Sequence, residues 1–164
     1  MRSGKSCSGA LVVPEGITSI GANAFRSGQP LTSISLPATL TNISDGAFTY
    51  QKEVTSIVIP AAVTYIGVLA FSNPQGYKSV TFLGTSANAP LTIAEAAFQY
   101  HSLAGITFPA NLSSLEQRVF NAATSMRCMN FLGNAPTLTF NPRYGLGSDF
   151  EAFSSGSTPT VYIT

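Results

Sequence analysis

The chain has 164 residues, of which 45% are hydrophobic and only 9% charged, with a formal net charge of +1. That much apolar material fills one continuous core and argues against disorder. Sparse, balanced charge argues against nucleic-acid binding, which needs a basic stripe to neutralise phosphates, and no run approaches the roughly 18 apolar residues of a membrane span.

The first five residues, Met1-Arg2-Ser3-Gly4-Lys5, are basic but are not followed by the apolar stretch of a signal peptide. Residues 1–10 therefore read as a polar lead-in. From residue 11 onward one unit recurs. Pro14, Pro37 and Pro60 lie 23 residues apart, and so do Phe25, Phe48 and Phe71. A fixed period of this length marks a solenoid, in which each coil buries its apolar face only against its neighbours.

The coils open in turn with Leu11-Val12-Val13-Pro14, Ile34-Ser35-Leu36-Pro37, Ile57-Val58-Ile59-Pro60, Val80-Thr81-Phe82-Leu83, Ile106-Thr107-Phe108-Pro109 and Met129-Asn130-Phe131-Leu132. Val161-Tyr162-Ile163 reads as a last strand. Each opening alternates as a half-buried strand does, so Ile34 and Leu36 point inward while Ser33 and Ser35 face solvent. Proline then ends the strand, having no N–H to give a ladder. A second short extended segment follows at 17–20, 40–43, 63–66 and 112–115, then a tight turn carrying Ala-Phe. Residues 11–164 thus read as one solenoid of about six repeats of about 23 residues plus a final strand.

Phe25, Phe48, Phe71, Phe98, Phe120 and Phe153 form a column expected to stack as an internal ladder. The small residue before each one (Ala24, Ala47, Ala70, Ala97, Ala152) lets the turn lie close to the sheet, with Val119 the departure. Two stretches break the period. The coil from Phe71 to Phe98 spans 27 residues because of an insertion near 84–90, and 141–149 is a longer insertion holding Arg143 and Tyr144. Inserted loops on a regular scaffold often carry binding function, although drifted loop length accounts for them equally well.

Residues for chemistry are scarce. His101 is the single histidine, so no histidine metal cluster can be built from this chain. Cys7 and Cys128 lie five repeats apart, about 24 Å at the spacing of stacked strands, against a limit of roughly 7 Å between Cα atoms for a disulfide. Two free thiols are expected. The acids, Glu15, Asp45, Glu53, Glu95, Glu116, Asp149 and Glu151, are scattered singly, which gives no glycosidase-type pair, and no phosphate-cradling glycine loop appears. No catalytic residue, metal ligand set or cofactor site is expected. Asn42-Ile43-Ser44 and Asn111-Leu112-Ser113 match the N-glycosylation pattern at the frequency chance allows.

The outward strand positions Ser33, Ser35, Ser56, Val58, Ser79, Thr81, Gly105, Thr107 and Asn130 are small and mostly uncharged, a flat face without large anchors. Interfaces usually rely on Tyr, Trp or Arg hot spots, and Tyr and Arg, with Lys and His, gather instead after each Phe and before the next strand. The expected binding ridge is Tyr50, Lys52, Tyr77, Lys78, Tyr100 and His101, with Arg26 and Arg127 along it. The alternative is that the tyrosines shield the hydrophobic edge with their hydroxyls wet.

The pattern L-x-x-I-x-L-P-x-x-L-T-x-I-x-x-x-A-F, as in Leu31 to Phe48, resembles the BspA-type leucine-rich repeat of bacterial and some protist surface proteins. The likeness runs over about residues 10–163, and the Phe-Leu-Gly-x-Ala-Pro variant at 131–136 is similar to a coil type among such repeats. It implies a right-handed leucine-rich solenoid with a parallel sheet on one face, short second strands and single turns on the other. It also implies a non-catalytic adhesion or binding role at the cell surface or outside the cell, with a protein or matrix ligand. No helix or charged cap shows at either end of the sequence. Two expectations follow: a fragment of a longer array, or a structural, self-assembling unit stacking end to end.

Overall fold

The computed structural model describes residues 9–27, 30–73, 77–84, 89–123, 125–134, 136–139 and 160–163. Phe153, Cys7 and the 141–149 insertion lie outside them.

Each coil contributes two strands. The first strands are β1 (Gly9–Val12), β3 (Leu31–Ser35), β5 (Ser56–Ile59), β7 (Ser79–Phe82), β9 (Gly105–Phe108), β11 (Cys128–Phe131) and β13 (Thr160–Ile163). The second strands are β2 (Ser19–Ile20), β4 (Asn42–Ile43), β6 (Tyr65–Ile66), β8 (Leu91–Ile93), β10 (Leu112–Glu116) and β12 (Thr137–Thr139). All pairings are parallel and join equivalent residues one coil apart, such as Ser56 with Ser79 and Ile57 with Val80, or Met129 with Ile106. There is no helix among the described residues.

The first strands form one face in three ladders, β1–β3, β5–β7 and β9–β11–β13. The second strands, although only two to five residues long, join in a single six-stranded sheet from β2 to β12. The face opposite the main sheet is therefore a sheet as well, more continuous than the first. Parallel strands stacked coil on coil in this way make a β-solenoid of leucine-rich-repeat type.

The third face is the turn that carries Phe, and it too is tied between coils by backbone hydrogen bonds. The N–H groups of Phe48, Phe71 and Phe98 donate to the carbonyls of Ala70, Ala97 and Val119 at 2.8, 2.8 and 3.0 Å, while Ala47, Ala70 and Ala97 donate three residues back within their own coil. Odd and even positions thus divide their donors between neighbour and self, leaving few orphans. This pattern requires a left-handed residue two before each Phe. Asn23, Gly46, Leu69, Ala96 and Arg118 all have φ between 55° and 63°. Only Gly46 is free of the steric cost this carries.

The core is the space these three faces enclose. The Phe rings stack along it: Phe25 on Phe48 at 5.3 Å, Phe48 on Phe71 and Phe71 on Phe98 at 5.4 Å, and Phe98 on Phe120 at 6.2 Å, all within 10° of parallel. Phe48, Phe71, Phe98 and Phe120 are fully buried. Phe25, at the end of the described stack, is half-buried. Leucine, isoleucine and valine from the inward positions of both sheets fill the remainder. Each buried side chain contributes about 1.5–3 kcal/mol.

Candidate functional site

The solenoid is three-sided, and its chemistry lies on one edge, between the Phe-bearing face and the main sheet. There the chain turns tightly from Gln51 to Val54, with the Val54 N–H donating to the Gln51 carbonyl at 3.2 Å. Lys52 and Glu53 are exposed at the tip. Tyr50 precedes the turn, and its N–H donates to Ser72 of the next coil at 3.0 Å; Asn73 donates to Gln99 and Tyr100 to Asn121. These bonds align Ser27, Tyr50, Asn73, Tyr100 and Ala122 in one column. On the far side of the turn Lys78 donates to Thr55 and Arg127 to Ala104, aligning Thr55, Lys78, Ala104 and Arg127 just before the strands.

Tyr50 and Tyr100 are 43% and 45% exposed, although aromatic rings favour burial. Both have left-handed backbones, with φ of 63° and 60°, an uncommon conformation for a bulky residue and one worth about 1–2 kcal/mol of local strain. Two coils separate them, about 10 Å at the strand spacing. Lys52, Lys78 and Arg127 are exposed beside them. Of the six residues expected to form a ridge, Tyr50, Lys52, Lys78 and Tyr100 are exposed on this edge.

Tyr77 and His101 do not belong to it. Tyr77 is 0% exposed and His101 2%. Counting back three residues from Ile34, Ile57, Val80, Ile106 and Met129 gives Leu31, Val54, Tyr77, Leu103 and Met126, all buried. Tyr77 thus fills a core column, edge-on to Phe71 at 5.7 Å, and burial holds its hydroxyl well above the ordinary tyrosine range. His101 sits three residues after Phe98, where Gln51 sits after Phe48. At that position the side chain turns inward: Gln51 Nε2 donates to the Phe25 carbonyl. The His101 Nδ1 accepts the Leu103 N–H at 3.0 Å, the ring stands edge-on to Phe120 at 5.3 Å, and burial lowers its pKa to about 4. It is a neutral core imidazole.

A concave surface on another face is not evident in the sequence. On the outer face of β7, β9 and β11 the small side chains leave a groove of about 890 Å³, lined by Thr81, Gly105, Thr107, Cys128, Asn130 and Leu132 among others. The Cys128 thiol is free and exposed, resting over Gly105, where a Cβ would meet Sγ at 2.5 Å. The smallness of these residues, read from sequence as a flat face, is what makes the hollow.

No group of three or more metal-ligating side chains occurs among the described residues, and no described helix is long and apolar enough to cross a membrane. The acids are dispersed at coil joints: Glu15 accepts the Ala38 N–H at 3.2 Å, Asp45 the Val68 N–H at 2.9 Å and Glu116 the Glu95 N–H at 3.0 Å, while Glu95 lies 3.9 Å from Arg118.

The fold is similar to that of a crystallised leucine-rich cell surface protein of Faecalibacterium prausnitzii A2-165, with a TM-score of 0.51 and 24% identity over 76% of this chain. The chain spans 35% of the length of that structure. No curated protein matches the sequence. The profile of the BspA-type leucine-rich repeat region matches six copies over residues 5–127. Repeat, register and Phe stack accord with that match, and the chain belongs to the BspA-type leucine-rich repeat family.

Proposed function

We propose that the chain is a non-catalytic recognition module, displayed at the cell surface, that engages a protein or matrix ligand through the edge bearing Tyr50, Lys52, Lys78 and Tyr100. The observation that carries this reading is the pair of exposed tyrosines on one column, with Lys52 and Lys78 exposed on the same edge. The left-handed backbone belongs to the turn itself, since Ser27 and Ala122 of the same column share it; what marks Tyr50 and Tyr100 is a large ring left exposed there, and tyrosine is among the residue types enriched at interface hot spots. Family membership and the likeness to the leucine-rich cell surface protein of Faecalibacterium prausnitzii support the location. Residues 11–164 are read as one solenoid, whose first strand reaches back to Gly9, two residues into the stretch expected as a lead-in.

The test is selection from a displayed library of random 12-residue peptides on immobilised protein, followed by binding of the selected peptides to the Tyr50→Ala/Tyr100→Ala variant. Loss of binding at unchanged thermal stability supports the edge; retained binding removes it.

One observation favours a second reading, a structural solenoid that stacks end to end. In the first described coil Leu11, Val12, Val13, Ile17 and Phe25 surround a hollow of about 330 Å³, and Val12 and Ile17 are exposed. Light scattering across concentration separates the two: a mass that stays monomeric at millimolar protein excludes stacking.

A further inference from the structure

Every described carboxylate but one is engaged within the chain. Glu15, Asp45 and Glu116 each accept a backbone N–H from another coil, and Glu95 pairs with Arg118. Asp45 also lies 3.5 Å from the Tyr65 hydroxyl. The exception is Glu53, at the tip of the same turn as Lys52. The cations divide differently. Arg118 has its ion pair and Arg26 reaches Asn23 Oδ1 at 3.4 Å. Lys52, Lys78 and Arg127 are exposed with no carboxylate in ion-pair reach among the described residues, and all three stand on the edge that presents Tyr50 and Tyr100. The acids act as joints between coils while unspent positive charge gathers on one edge.

The geometry points to an acidic polypeptide segment as the occupant of this edge, an inference that rests on the recognition reading above. Charge complementarity sets the sign of the partner. Its class follows from density: three cations spread over several coils, interleaved with tyrosines, suit aromatic and ionic anchoring of a peptide, whereas a sulfated polysaccharide calls for a compact run of basic residues.

The experiment uses the whole chain and three probes by fluorescence anisotropy: a 12-residue peptide rich in Glu and Asp with one Tyr, the same peptide with Gln and Asn at the acidic positions, and heparin. The acidic peptide is expected to bind about tenfold tighter than its neutral counterpart at 50 mM salt, with the difference shrinking by 300 mM as screening sets in. Lys52→Glu/Lys78→Glu, both at exposed positions without partners, is expected to abolish the preference while leaving the melting curve in place. Equal binding of the two peptides, no binding of either, or binding of heparin alone overturns the inference. If neither peptide binds while library-selected peptides still require Tyr50 and Tyr100, the recognition edge stands and its acidic partner falls. If selected peptides ignore the tyrosines, the recognition reading itself is lost.

Discussion

The imidazole Nδ1 of His101 accepts the backbone N–H of Leu103 at 3.0 Å from inside the core. An acceptor at Nδ1 places the proton of the neutral ring on Nε2, a buried atom with no partner among the described residues. On the chain segments around it the titratable groups are Tyr77, Lys78, Tyr100, Arg127 and Cys128, none of them a carboxylate that would hold a charged imidazolium. Protonation would both charge a buried ring and remove the acceptor. The folded pKa, about 4, lies below the unfolded value of 6.5, so the unfolded chain binds the extra proton first. This contribution is intact above pH 6.5 and is lost as pH falls toward 4, by roughly 3 kcal/mol at most. Urea unfolding at pH 7.5 and pH 4.5 checks it. His101→Gln, which copies the residue at the same place in the second coil, is expected to lose less stability between those pH values than the wild type; an equal loss in both contradicts the assignment.

Phe71 is sandwiched between Phe48 and Phe98 and meets Tyr77 edge-on. Phe71→Ala leaves a cavity with no side chain able to fill it, and the expected cost is about 3–5 kcal/mol. Phe25 has one stacked neighbour and is half-buried, so Phe25→Ala is expected to cost about half as much. Thermal melts followed by far-UV circular dichroism rank the two.

Backbone strain makes opposite predictions for adjacent alanines. Ala96 has φ of 55°, so Ala96→Gly trades strain against unfolded-chain entropy and is expected to be neutral or stabilising by up to about 1 kcal/mol. Ala97 lacks a positive φ and is fully buried; Ala97→Gly is expected to destabilise by about 1 kcal/mol. Gly67 is a third case. A Cβ there would meet Asp45 N at 2.6 Å and the Ser44 carbonyl carbon at 2.7 Å, so Gly67→Ala pushes two coils apart and is expected to cost more than either, about 2 kcal/mol or more. Chemical denaturation of the three variants gives the order.

Much of this architecture is legible in the sequence because the same apolar positions recur every 23 residues. Pro37, Pro60 and the Phe column mark where strands end and where the chain turns inward. The six-stranded second sheet is harder to see, since Ser19–Ile20, Asn42–Ile43 and Tyr65–Ile66 are too short to display a period; the neighbouring coils hold them extended. Tyr77 and His101 are misplaced by residue type, not by register: Tyr77 lies six residues after Phe71, as the buried Val54 lies six after Phe48, and His101 lies three after Phe98, as the buried Gln51 lies three after Phe48. Counting backward from the strand puts Tyr77 in line with Val54 and Leu103. A tyrosine and a histidine also carry polar tips that suggest a surface, while their rings satisfy the core.

Tyr50 and Tyr100 project from the solenoid rather than bracing it, so the Tyr50→Ala/Tyr100→Ala variant is expected to unfold within about 1 kcal/mol of the wild type. Both substitutions keep a side chain at a left-handed position, so the backbone cost is unchanged. A parallel denaturation curve checks this, and a loss well beyond 1 kcal/mol would make the tyrosines part of the scaffold.

The most direct test of the account is the footprint of the tightest library-selected peptide, mapped by amide and side-chain chemical shifts on the isotope-labelled chain. The largest changes are expected at Tyr50, Lys52, Lys78 and Tyr100, with the groove residues Thr107 and Asn130 unmoved. A footprint centred on that groove, or on Leu11, Ile17 and Phe25 of the first described coil, would contradict it.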